Sequence, residues 1–109
     1  MKKSQLKKIA YRVALGVEFL NKEYGRSWLR KIDPERLALD SGSACVLGQL
    51  EGHFEEGERV LGIDDIRAAE LGFYEDDDAE EDEYPYLTKE WKKAILELNK
   101  EHEEEKANG

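Results

Sequence analysis

The chain has 109 residues, enough for one compact domain and not for two. Charged residues make up 39% of it and the net charge is -9, so the surface is heavily ionised and the core modest. The single cysteine, Cys45, excludes an internal disulfide framework, and no apolar run reaches the ~18 residues that span a bilayer.

The charge is unevenly placed. Residues 1–36 carry ten Lys/Arg against four Asp/Glu, and the remainder carries seven against twenty-two. That is a basic half and an acidic half, fit either for an internal electrostatic match or for two different partners. The lysine-rich start superficially resembles a secretion leader, but Arg12 and Glu18 interrupt its apolar stretch and no small-residue cleavage site follows. The expected compartment is the cytoplasm, which also fits a lone thiol.

Leu6, Ile9, Val13, Val17, Leu20 and Tyr24 recur at spacings of three and four, which predicts an amphipathic helix from Ser4 to Tyr24, stopped by Gly25. Lys7, Lys8, Arg12 and Glu18 fall mostly off that face. Ser27 then caps a short turn holding Trp28 and Leu29. Asp33-Pro34 is a helix start signal, a cap followed by a residue that needs no amide partner, and predicts a short helix from Pro34 to Leu39.

After the loop Asp40–Ser43, the sequence reads as a helix to Leu61, with Val46, Leu47, Leu50, Phe54 and Leu61 on one face. Gly48, Gly52 and Gly57 each cost roughly 1 kcal/mol against Ala in a helix interior, so close packing or a break is expected there. Asp64 or Asp65 caps a short helix, Ile66 to Leu71, ended by Gly72. Thr88 caps a last helix with Trp91, Ala94, Ile95 and Leu98 at helical spacing. No strand alternation of useful length appears. The expected fold is all-α: a small single-domain helical bundle over residues 1–100, with an acidic loop at 74–86 and a charged flexible tail at 101–109. Trp28, Phe54 and Trp91 are expected to share a core with Val13 and Val17.

Between Glu75 and Glu83 every residue but Ala79 is acidic, and aromatics flank the run at Phe73, Tyr84 and Tyr86. Such a run lacks the ligand spacing and turn glycine of a calcium loop. It either imitates the phosphate charge of nucleic acid, one charge per ~1.7 Å of duplex axis, or is a solvated loop held open by self-repulsion. Because unpaired buried charge is so costly, all eight carboxylates are expected in water.

Trp28, Ile32-Asp33, Leu37, Leu39, Cys45-x-Leu47-Gly48-Gln49, Gly52, Phe54, Gly57, Leu61-Gly62, Leu71-Gly72-Phe73, Leu87 and Trp91 form a pattern over roughly residues 10 to 96. It resembles a family of small proteins of phage and prophage genomes, with a heavier acidic insert. The resemblance implies a mobile-element origin, a bacterial cytoplasm and, by context, a place among inhibitors of host defence such as anti-CRISPR proteins. The family lends no catalytic residues.

Cys45 at the start of a helix has two readings, a reactive thiolate favoured by the helix dipole or a small buried apolar residue, and the second is the commoner fate. Cys45 and His53 suggest a nucleophile and base or a zinc site. On a continuous helix, though, eight residues span ~12 Å, and only a break at Gly48 or Gly52 brings them together. Gln49 is expected to cap a loop internally, and Trp28 and Trp91 to anchor the core.

With no phosphate-binding loop, catalytic triad order or zinc-finger spacing, the sequence points to a non-enzymatic protein without cofactor or metal. The expected partner is a basic host protein, such as a nucleic-acid-binding defence effector, met through Glu75, Asp76, Asp77, Asp78, Glu80, Glu81, Asp82 and Glu83 by a monomer or dimer. Neither membrane nor direct nucleic-acid binding is expected. The alternatives are a module that self-associates through its opposite charges, and a thiol- or zinc-dependent protein using Cys45.

Overall fold

The computed structural model describes the backbone of residues 1–108 and the side chains of residues 1–101. It is all-α, with no strand among the described residues. Two long helices, α1 (Lys3–Tyr24) and α5 (Tyr84–Asn108), pack against each other. A 3-10 turn at Arg26–Lys31 lies against both, α2 (Val46–Glu51) and α3 (Phe54–Leu61) form an angled pair, and α4 (Asp65–Glu70) rests on α1. α5 stays helical past Glu101; the expected tail at 101–109 falls on residues whose side chains lie outside those described.

The buried stripe of α1 is Ile9, Val13, Gly16 and Leu20. Gly16 is there because of close approach: a Cβ on it would stand 2.1 Å from the Leu71 carbonyl oxygen and 2.7 Å from the Trp91 ring. Around this crossing lie four aromatic rings. Trp28 meets Trp91 edge-on at 6.4 Å, Phe73 stacks on Trp91 at 5.4 Å, and Phe19 meets Phe73 edge-on at 6.4 Å. Both indole N–H groups find acceptors, Trp28 on Asn21 Oδ1 at 2.8 Å and Trp91 on the Gly72 carbonyl at 2.7 Å. Large rings are thereby buried without orphaned donors.

Four expectations need correcting. The single helix to Leu61 breaks at Gly52, whose φ of 94° carries the chain out of α2, and His53 caps α3. The glycines on either side serve close packing, as Cβ atoms on Gly48 and Gly57 would stand 2.3 Å from the Gly42 oxygen and 2.7 Å from Leu47 Cβ. The break turns Phe54 away from the central core. It stacks on Tyr74 at 5.4 Å, half-buried, and Phe73 takes the place expected for it; Val17 packs at the margin.

Pro34–Leu39 does not become a helix. Asp33 Oδ1 accepts from the Glu35 amide and the chain makes one turn, after which the Ala38 and Leu39 amides bond to Ala44 O and Thr88 Oγ1 instead of to the preceding turn. Thr88, so engaged, caps nothing. α5 starts one turn earlier, where Asp82 Oδ1 accepts from the Tyr84 amide at 3.0 Å and Pro85 occupies the first turn, a position where a missing N–H costs no bond.

Candidate functional site

Arg12 gathers three elements. Spacing of three and four from Ile9 to Gly16 puts it at the edge of the buried stripe of α1, where its guanidinium reaches the ends of the acidic loop. Its Nε donates to the Ala69 carbonyl at 2.7 Å and Nη2 to the Tyr74 carbonyl at 2.7 Å, while Nη1 contacts both Glu83 oxygens at 3.0 and 2.9 Å. Glu83 Oε1 also accepts the Asp76 amide at 2.7 Å. Charge-assisted bonds of this kind are about twice as strong as neutral ones. Together they tie the end of α4, the start of the loop and the first turn of α5 to α1.

The expectation that every carboxylate of the run stands in water is therefore corrected at Glu83, which is 8% exposed. Burial is tolerated because the charge is matched by Arg12 and by a backbone N–H. Asp76, Asp77, Asp78, Glu80, Glu81 and Asp82 are exposed, and Glu75 is half-buried. Asp76 shapes the loop tip, its carboxylate accepting from the Asp78 amide at 3.0 Å and its carbonyl from the Ala79 amide at 3.0 Å. The flanking rings hold the loop ends to the body: Phe73 is buried, and Tyr74 meets Tyr84 edge-on at 6.5 Å. Burial, then the charge of Glu75, pushes the Tyr84 phenol up to about 12.

Beside the loop, α1 and α4 leave an open groove of about 550 Å³. Tyr11, Leu15 and Ile66 give it an apolar wall, and Asp65, Glu70 and the loop aspartates give it an acidic rim. Tyr11 and Ile66 are 65% and 68% exposed. Asp65 also belongs to a second acidic cluster. It neighbours Glu58 of α3, whose carboxyl is pushed up to about 7 by burial first, then by Asp65 and by the charges of Glu55 and Asp64. Glu58 Oε2 is buried without a hydrogen-bond partner among the described residues.

The other candidate residues are structural. Cys45 is buried at the N-cap of α2, where its sulfur accepts the Gly48 amide at 3.2 Å and its thiol faces the Gly42 carbonyl at 3.7 Å. Burial pushes this thiol up, away from thiolate. His53 is exposed, and its Nδ1 accepts the Glu55 amide at 3.3 Å. The break at Gly52 does bring the two to one small cavity, but each is committed to capping a different helix. Among the described residues no cluster of three or more His, Cys, Asp or Glu side chains is arranged to hold a metal ion. Gln49 joins loops internally, its Oε1 accepting from the Asp33 amide at 2.6 Å and its Nε2 donating to the Asp33 and Ala44 carbonyls.

No family model, curated protein or solved structure matches the chain. Among the described residues no helix is long and apolar enough to cross a membrane. The Arg12–Glu83 pair escaped the sequence reading, which put Arg12 with the surface lysines. The available signal was its place between Ile9 and Gly16 on the helical stripe.

Proposed function

We propose that the protein is a non-enzymatic accessory protein of phage type that binds and blocks a basic, nucleic-acid-binding surface of a bacterial host protein in the cytoplasm. The observation that carries this reading is the acidic face: six exposed carboxylates on one short loop, from Asp76 to Asp82, beside the further acids Asp65 and Glu70 of α4. A surface so charged raises the encounter rate with lysine- or arginine-rich grooves and repels nucleic acid itself. The loop is not a loose tether. Arg12, Glu83 and the aromatic ends hold its base, so the carboxylates are presented from a fixed position, which lowers the ordering cost of binding.

Competition is the test. Given to a basic DNA-binding defence effector already loaded with labelled duplex, the protein should release the duplex, less so as salt rises. A variant with Asp76, Asp77, Asp78, Glu80 and Glu81 replaced by Asn and Gln should not. Failure of the wild-type protein to displace DNA from such effectors, or equal displacement by the variant, overturns the reading.

A further inference from the structure

We infer that the groove between α1 and α4 receives one large apolar side chain of a partner protein's segment, whose flanking lysines or arginines are seated by the carboxylates around it. The inference rests on the reading of the acidic face as a partner surface and says where on it the specificity lies. Its first support is apolar. Tyr11 and Ile66, on facing helices, are among the most exposed large hydrophobic side chains of the molecule, and with Leu15 they wall one groove. Single exposed apolar residues need no explanation, but a set converging on one concavity does. A volume of about 550 Å³ has room for an aromatic or leucine side chain and part of its backbone.

The second support is charge. Six carboxylates line this groove against one guanidinium, that of Arg12. Arg12 is already neutralised by Glu83, and its remaining N–H groups are directed at the Ala69 and Tyr74 carbonyls. Glu70 is shared with Arg67, an exposed pair at 3.0 Å. Asp76, Asp77 and Asp78 have no cation within 4.0 Å among the described residues. A phosphate, a fatty acid or a nucleic acid meets only repulsion here. A cationic segment with one apolar anchor meets complementarity on both counts, with the anchor supplying what salt cannot screen.

Two probes of equal charge separate the anchor from the charge: fluorescein-labelled decalysine, and the same peptide with one tryptophan inserted at its centre. Fluorescence anisotropy should give the tryptophan peptide an affinity about tenfold higher for the wild-type protein. Tyr11→Ala and Ile66→Ser should each erase that advantage and leave decalysine binding as it was. Both side chains are exposed, so the variants should melt with the wild type, a check on folding. Equal affinity for the two peptides, or an advantage that survives both substitutions, overturns the groove inference while decalysine binding leaves the acidic-face reading standing. Absence of binding by either peptide overturns both. A concentration-dependent dimer in sedimentation that Ile66→Ser abolishes makes a second copy of the chain the occupant, and likewise overturns the inference.

Discussion

Glu83 and Asp77 belong to one acidic run, yet their surroundings are opposite. Glu83 is turned inward, clasped by Arg12 and by the Asp76 amide, whereas Asp77 stands in water with no cation against it among the described residues. The same functional group holds the fold together at one end of the loop and is available to a partner in the middle. Charge density alone does not distinguish these roles. What separates them is whether a guanidinium and a free backbone N–H lie within reach; the guanidinium comes from the other side of the fold, on α1, and the N–H from Asp76 at the start of the same run.

Arg12→Ala should break this contrast most severely. It leaves Glu83 buried without its countercharge and takes a donor from the Tyr74 carbonyl, while the Ala69 carbonyl keeps the Gly72 amide. Breaking a buried pair from one side costs about 3–5 kcal/mol, and the slight exposure of this pair, 12% and 11%, lowers the expectation to about 2–4 kcal/mol in urea unfolding. In an Arg12→Ala, Glu83→Leu double variant much of that loss should return, because no unpaired charge is left; a double variant as unstable as the two losses added would deny the pairing. Glu83→Gln alone keeps the shape and one acceptor, and should cost about 1–3 kcal/mol.

A smaller effect is expected where α3 meets α4. The Glu58 carboxyl, pushed up to about 7, favours its neutral form in the folded state. A raised folded value means that the stability it contributes is present below the ordinary carboxylate range, ~4.3, and is lost as pH rises through about 7. The wild-type melting temperature should therefore fall between mildly acidic and mildly alkaline buffer by more than that of Glu58→Gln, whose amide stays neutral throughout. Parallel curves for the two proteins would place the titration elsewhere.

The smallest expected effect on stability belongs to the middle of the loop. Replacing Asp76, Asp77, Asp78, Glu80 and Glu81 by Asn and Gln should leave the melting temperature unchanged or slightly raised: Asp76→Asn keeps an acceptor for the Asp78 amide, the half-exposed pair of Glu81 with the Met1 ammonium is worth little, and self-repulsion is relieved. A loss comparable to that of Arg12→Ala would put these carboxylates in the same class as Glu83.

How much of this was legible depended on sequence distance. α1, α4 and the stops at Gly25 and Gly72 follow from local periodicity, caps and glycines, and the structure has them where spacing puts them. The strain at Gly52 was legible as well, though only the structure resolves it into a break. Thr88 and the Pro34 segment misled because their local signals lost to partners outside the helical pattern, Leu39 from the far side of the chain for Thr88 and the nearby loop residue Ala44 for Ala38. The acidic loop was visible from composition. Its inner anchor was not, since Arg12 and Glu83 lie 71 residues apart and meet only once α1 and α5 have packed. The groove was invisible for the same reason: Tyr11 and Ile66 belong to two helices that no local pattern pairs.

The most direct test of the account is the affinity for decalysine, measured at low salt and again at about 0.15 M, for the wild-type protein and for the five-carboxylate variant. The account predicts that the wild type binds at low salt and weakens steeply as salt rises. The variant, folded and melting no lower, should bind far more weakly and lose most of that salt dependence. A variant that binds decalysine as tightly as the wild type at low salt would contradict the account and leave the acidic run as a solvated loop.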